Sequence, residues 1–285
     1  MKSHILLSSL LKLREALLNI NKDNQEELFI SAKNTNAWFS QEFILKSLHG
    51  LAAMLEAPVL EATLSKYYND NSRKIGLILA GNIPAVGFQD ILYVLLANGE
   101  AYIKPSSKDE ILIRFLCNEL IKINEEIKDH IHFVDKIILD NLDGVIATGS
   151  DNTSRYFEQY LNKLPNVIRK NRTSVAVLSG TESEDDLINL ARDITLYYGL
   201  GCRNVTKLFA PDDYNFTPFL KIVEDNYQTI SFHSKYHNNY DYYKAIFLVE
   251  RIDHLDNGII LLKKERELFS PISVLHYENY SSTAD

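Results

Sequence analysis

Two cysteines, Cys117 and Cys202, are all that this chain of 285 residues contains. A disulfide framework is therefore excluded, and a reducing compartment fits the shortage. Positive charge is also in deficit, with 30 Lys and Arg against 38 Asp and Glu and a net charge of −8. Nucleic-acid binding would need a basic patch, yet the densest cationic stretch is the short RKNR, Arg169 to Arg172. Long apolar runs are missing as well. The N-terminal run from Ile5 to Leu11 is interrupted by Lys12, Arg14 and Glu15, and no small-residue cleavage site follows. No run approaches the roughly 18 residues of a membrane span, so the chain reads as cytoplasmic, without nucleic-acid or membrane partners. The fingerprints G-x-G-x-x-G, P-loop and G-x-S-x-G are all absent.

What is present is the composition of a soluble globule, 46% apolar and 24% charged, patterned as α/β. Residues 1 to about 70 read as helices, with Leu7, Leu10, Leu11, Leu13 and Leu17 on one face of the first. Ser40 stands near the start of another helix, and Trp38 is expected to pack on the core. From Arg73 the texture changes. KIGLILAGNIP, AYIKPSS, HIHFVD and LDGVIATG read as strands, and GFQDILYVLLANG, KDEILIRFLCNELIKINEEI and DNTSRYFEQYLNKL as helices between or after them. Gly99 is expected to close the first of these helices. Such alternation implies right-handed crossovers and a mostly parallel sheet. After the strand SVAVLSG, Ser183 and Asp186 resemble a capping box, and Gly199 is placed to end the helix they open. HSKYHNNYDYYK reads as an irregular surface or groove segment.

Cys117 shares the apolar side of its helix with Leu116, Leu120 and Ile121 and is expected in the core. Cys202 sits in YYGLGCRNVTKLF, after a helix and before a strand. A free cysteine is often simply packed. Activation of a thiolate usually needs a helix N-terminus or a nearby cation, whereas a helix C-terminus opposes negative charge, with Arg203 able to offset it. Local chemistry leaves both readings open. Gly149 and Ser150, with Asn152 and Thr153 behind them, form a strand-to-helix junction that suits a phosphate or a plain cap. Lys104 ends a strand at the sheet edge where open α/β sheets bind ligands. His233 and His237 stand four apart but lack a third ligand, so no metal site is expected.

The order of AGNIP, IKPSS, ATGSDNTSR, GLGC and RELFSPI resembles the aldehyde dehydrogenase superfamily. Nearly the whole chain, and especially AGNIPAVGF, ATGSDNTSRYFEQY, IRKNRTSVAVLSG and YYGLGCRNVTKLF, is similar to bacterial acyl-CoA reductases of the LuxC type. That resemblance implies an aldehyde-dehydrogenase-like α/β fold. A helical N-terminal segment and a Rossmann-like NADP-binding domain would span 1–173, and an α/β catalytic domain 174–275. It implies that Cys202 takes the acyl group of a long-chain fatty acyl-CoA or acyl-carrier thioester, and that Asn82 donates its amide to the oxyanion beside the Cys202 N–H. It places Lys104 and Ser107 on the adenosine ribose, Gly149 and Ser150 at the pyrophosphate, and Glu267 on the nicotinamide ribose. NAD-preferring relatives often carry Glu where Ser107 stands, so NADPH is favoured over NADH.

Two departures from the superfamily carry information. The general base of hydrolytic aldehyde dehydrogenases lies about 34 residues before the cysteine; here that position is Ile168. A reductase needs no activated water. The family chain also returns to the cofactor domain after ELFSP, often supplying an oligomer contact; with only 276–285 remaining, that segment is expected to be missing, which leaves a homo-oligomer open. Two alternatives stand beside the reductase. One is an acyl-phosphate reductase resembling glutamyl phosphate reductase, for which RKNR would bind anions; the other is a non-catalytic acyl or nucleotide binder.

Overall fold

A computed structural model describes residues 2–21, 23–149, 157–170 and 172–282. It divides into two compact units, Met1–Asn171 and Arg172–Asp285.

The first unit opens with four helices, α1 (Ser3–Leu18), α2 (Glu26–Thr35), α3 (Gln41–Met54) and α4 (Ala57–Tyr67). Leu10, Leu13 and Leu17 of α1 are fully buried as expected, joined by Leu6, while Leu7 and Leu11 are only partly buried. Each fully buried leucine contributes about 1.5–3 kcal/mol. Ser40 caps α3 by accepting the Phe43 N–H at 3.3 Å, and Trp38 packs, partly buried, against the core. Strands β1 (Lys74–Ile78), β2 (Glu100–Lys104), β3 (Ile131–Phe133), β4 (Gly144–Thr148) and β5 (Asn166–Arg169) form one sheet in the order β3-β2-β1-β4-β5. Every pair is parallel. Helix α5 (Phe88–Leu96) packs its apolar face on β1 and β2, and α6 (Glu110–Ile123) packs against α1 and α2. Cys117, on α6, is completely buried, and burial pushes its thiol up to about 12.

The second unit has the sheet β6-β7-β10-β9-β8, built from β6 (Ser174–Val177), β7 (Val205–Pro211), β8 (His254–Asp256), β9 (Leu261–Lys264) and β10 (Val274–Tyr280). Only the β8–β9 pair is antiparallel. Helices α7 (Glu184–Thr195) and α8 (Thr217–Tyr227) pack together, and α9 (Ser234–Val249) follows. The capping box at Ser183 and Asp186 forms with both reciprocal bonds.

Three local expectations are corrected, and one strand stands where none was expected. After α5 the left-handed residue is Asn98, φ 60°, rather than Gly99; its side chain donates to the Asn69 carbonyl at 3.0 Å, which repays the strain. Helix α7 ends at Thr195, short of Gly199, because Tyr197 and Tyr198 turn left-handed first. HSKYHNNYDYYK is mostly helix α9, not irregular. Its Asn residues are poor formers, but Tyr236, Tyr240 and Phe247 are buried, and packing overrides propensity. Finally, NVIR is a strand, β5, too short to stand out beside the charges that follow it.

Among the described residues no single helix is long and apolar enough to cross a membrane.

Candidate active site

Three of the residues singled out above gather at one edge of the first sheet. Lys104 is the last residue of β2, Gly149 follows β4, and the loop carrying Asn82 begins just past β1. The strand order reverses between β1 and β4, and in open α/β sheets the crevice beyond that reversal is where ligands bind. Lys104 and Ser107 are exposed, so both are free to meet a polar ligand. The arrangement fits a nucleotide cofactor. Ser150, Asn152 and Thr153 lie outside the described residues.

The loop from Leu79 to Gly87 is fixed from the helical layer. Asn36, at the end of α2, donates to the Gly81 carbonyl at 3.4 Å, and Ser47 of α3 donates to the Pro84 carbonyl at 2.5 Å. A Cβ on Gly81 would lie 2.6 Å from Ser106 Oγ, so only glycine lets the turn after β1 touch the turn after β2. Ala85, fully buried, adopts a left-handed φ of 55°. Against this loop lies Asp109, 1% exposed, with no well-formed hydrogen bond to either carboxylate oxygen. Burial raises its pKa to about 8, opposed only by the Ala85 N–H, so it is neutral below that pH. Sequence reasoning passed over Asp109, since an acid before a helix reads as an ordinary cap.

In the second unit Cys202 is exposed, at the tip of a turn bounded by Gly201 and Asn204. The Gly201 N–H donates to Asn204 Oδ1 at 2.7 Å, and the Asn204 N–H returns to the Gly201 carbonyl at 3.1 Å. The Asn204 amide then donates to the carbonyls of Asp193 at 2.8 Å and Leu196 at 3.0 Å. Carbonyls left open at the end of α7 are thereby satisfied by a side chain. One buried residue thus fastens the cysteine turn to the helix before it. The chain between them takes left-handed angles at Tyr197 (φ 51°), Tyr198 (φ 59°) and Gly199 (φ 76°). Such angles cost a non-glycine residue of order 1 kcal/mol or more, and the Tyr198 ring is held 4.4 Å from that of His233. Asn204 was legible only as a turn former two residues after the cysteine.

Glu267 is exposed on the segment between β9 and β10. Within the cationic run RKNR, Arg169 bonds the buried Asp90 and Lys170 lies 2.6 Å from Glu158. Among the described residues no three His, Cys, Asp or Glu gather as ligands; His237 pairs with Asp241 at 3.4 Å.

Comparison with known proteins agrees with this architecture. The pattern of the family described as Acyl-CoA reductase (LuxC) matches residues 5–222. Among curated proteins, none matches the chain by sequence. Among solved structures, aldehyde dehydrogenase from Mycobacterium tuberculosis complexed with NAD+ superposes with a TM-score of 0.70 at 14% identity, covering 100% of this chain and 70% of that one. Aldehyde dehydrogenase 21 from Physcomitrella patens, in complex with the reaction product succinate, gives 0.72 at 14%, covering 99% and 69%. Aldehyde dehydrogenase C from Pseudomonas syringae, a mutant with NAD+ and octanal, gives 0.71 at 10%, covering 99% and 68%. At these identities the likeness shows the fold, which is that of aldehyde dehydrogenases.

Proposed function

The chain belongs to the acyl-CoA reductase (LuxC) family, and from that premise we propose that it reduces long-chain fatty acyl thioesters to aldehydes with NADPH, through an acyl group carried on Cys202. The observation that carries the reading is the presentation of Cys202: an exposed thiol at the tip of a braced turn, while the other cysteine is sealed in the core.

In the first step the Cys202 thiolate attacks the acyl carbonyl carbon. A new carbon–sulfur bond forms, the bond to the CoA sulfur breaks, and CoA leaves as a thiol after taking up a proton. Negative charge develops on the carbonyl oxygen; the Cys202 N–H and the Asn82 amide are the assigned donors, and such a donor is typically worth about 3–4 kcal/mol of barrier. When bound, a reduced nicotinamide dinucleotide would supply the hydride that the acyl carbon takes up. Collapse of the hemithioacetal on Cys202 then frees the aldehyde and restores the thiolate. Lys104, Ser107, Gly149 and Ser150 are assigned to the dinucleotide's adenosine and pyrophosphate, and Glu267 to its nicotinamide ribose. Ser107, with no carboxylate to repel a 2′-phosphate, supports NADPH over NADH.

Two observations bear on the competing readings. Position 168 is an isoleucine within β5, flanked by Val167 and Arg169, so no carboxylate stands there to activate water and hydrolyse the acyl-enzyme. Of the basic residues in RKNR that an acyl-phosphate reductase would use, Arg169 and Lys170 are engaged by Asp90 and Glu158.

The test is intact mass after incubation with a long-chain acyl-CoA and no cofactor. One acyl adduct per chain is expected in wild type and none in Cys202→Ala. A folded wild-type protein that takes no adduct removes the first chemical step and leaves the non-catalytic binder.

A further inference from the structure

Strands β9 and β10 are parallel neighbours joined by only nine residues, Glu265 to Ser273. A parallel connection usually takes a dozen or more residues and a helix, whose own bonds satisfy the backbone. This crossover has no helix, so its carbonyls need partners from elsewhere.

Three of them find side chains. Lys207, 1% exposed on β7, donates from Nζ to the Arg266 carbonyl at 2.8 Å. His276, 4% exposed on β10 and paired with Lys207 across the sheet, bonds the Glu267 carbonyl through Nδ1 at 3.0 Å. A carbonyl only accepts, so Nδ1 carries the hydrogen. Thr206, beside Lys207, donates from Oγ1 to the Leu268 carbonyl at 2.7 Å. Three consecutive carbonyls are thus drawn inward, while the Glu267 side chain remains exposed.

The arrangement is more than packing requires. Lys207 is a cation buried in a strand, a costly placement, and its charge is met by Glu278 at 2.5 Å, itself only partly buried. A methionine would fill the same space without that cost. What the ammonium adds is a grip on the backbone one residue before Glu267.

We propose that Lys207, His276 and Thr206 are positioning residues that fix Glu267 for the cofactor. The inference rests on the reading of Glu267 as the carboxylate that holds the nicotinamide ribose. It gives β7 two tasks, because the strand that leads away from the Cys202 turn also holds the crossover carrying Glu267.

The test uses the full chain and four variants: Lys207→Met, Thr206→Val, Glu267→Gln, and Lys207→Met combined with Glu267→Gln. NADPH affinity is measured by fluorescence titration, and acyl transfer to Cys202 by intact mass without cofactor. Lys207→Met should weaken NADPH about tenfold, and Thr206→Val, which keeps shape and loses only the hydroxyl, about threefold. Acyl transfer should stay within about twofold of wild type in both. In the Glu267→Gln background, Lys207→Met should weaken NADPH little further, because the group it positions is already disabled. A full tenfold loss in that background, or acyl transfer falling in parallel with NADPH affinity, overturns the positioning role. Wild-type NADPH affinity in either Lys207→Met or Thr206→Val does so as well. Wild-type affinity in Glu267→Gln alone is a different failure: it removes the ribose reading, and the proposal with it.

Discussion

Burial leaves the Asp109 carboxyl with almost no compensation: it is 1% exposed, and only the Ala85 N–H favours its charged form. The folded chain therefore holds this proton up to about pH 8, whereas the unfolded chain releases it near pH 4. A folded pKa above the unfolded one gives stability that is complete below about pH 4 and is lost as pH rises to about 8. The loss runs at about 1.4 kcal/mol per pH unit for this one group. Asp109→Asn has nearly the same shape, keeps an acceptor for Ala85 and cannot ionise. Its melting temperature relative to wild type should rise steadily from about pH 5 to about pH 8. A difference that stays flat over that range would mean Asp109 is not protonated in the fold. His276 titrates in the opposite sense. Burial lowers its pKa, so its contribution is present above the ordinary histidine range and falls away as pH drops toward the lowered folded value. Neither residue could be singled out from sequence: a lone Asp before a helix and a lone His in a strand carry no mark of how deeply they are buried.

At the scale of elements, the Cys202 turn shows how a strained connection is kept. Left-handed Tyr197 and Tyr198 would relax if their surroundings allowed it, and Asn204 restrains them through its bonds to the end of α7 and to Gly201. Asn204→Ala leaves those buried groups unpaired and should cost at least about 2 kcal/mol. Gly201→Ala should also destabilise wild type, since its Cβ would lie 2.7 Å from Asn204 Oδ1. In the Asn204→Ala background that clash is gone, and the same substitution should be nearly neutral. Urea denaturation of the two single variants and the double variant reads this coupling; simple additivity would show that Gly201 and Asn204 do not act as one brace. Long periodic elements were legible in the sequence because their patterns repeat: the leucines of α1, the β1 run, the capping box of α7. Helix α9 was not, since its stripe of buried Tyr236, Tyr240 and Phe247 and partly buried Tyr243 is mostly tyrosine, set among residues of poor helix propensity. The short β5 and the helix-free crossover between β9 and β10 were equally hidden, because what holds them comes from distant parts of the chain.

For the whole molecule, the proposed reaction draws on both units: Cys202 and Glu267 belong to the second, Asn82, Lys104 and Gly149 to the first. The sequence conveyed this assignment through the order of its motifs, none of which was specific alone. The placement of Lys104, Asn82 and Gly149 along one edge of a parallel sheet gives that order a physical basis in the first unit. The proposed role of Asn82 has a direct kinetic consequence. If Asn82 stabilises the oxyanion of an acyl group carried on Cys202, then Asn82→Ala should slow acyl transfer about 10²–10³-fold. It should leave alkylation of Cys202 by iodoacetamide within about twofold, since that reaction develops no oxyanion. Single-turnover mass spectrometry measures the first rate and the alkylation time course the second. Equal slowing of both would mean that Asn82 governs access to the thiol or its ionisation. Slowing of neither would confine the chemistry of acyl transfer to the second unit, with the Cys202 N–H as its oxyanion donor.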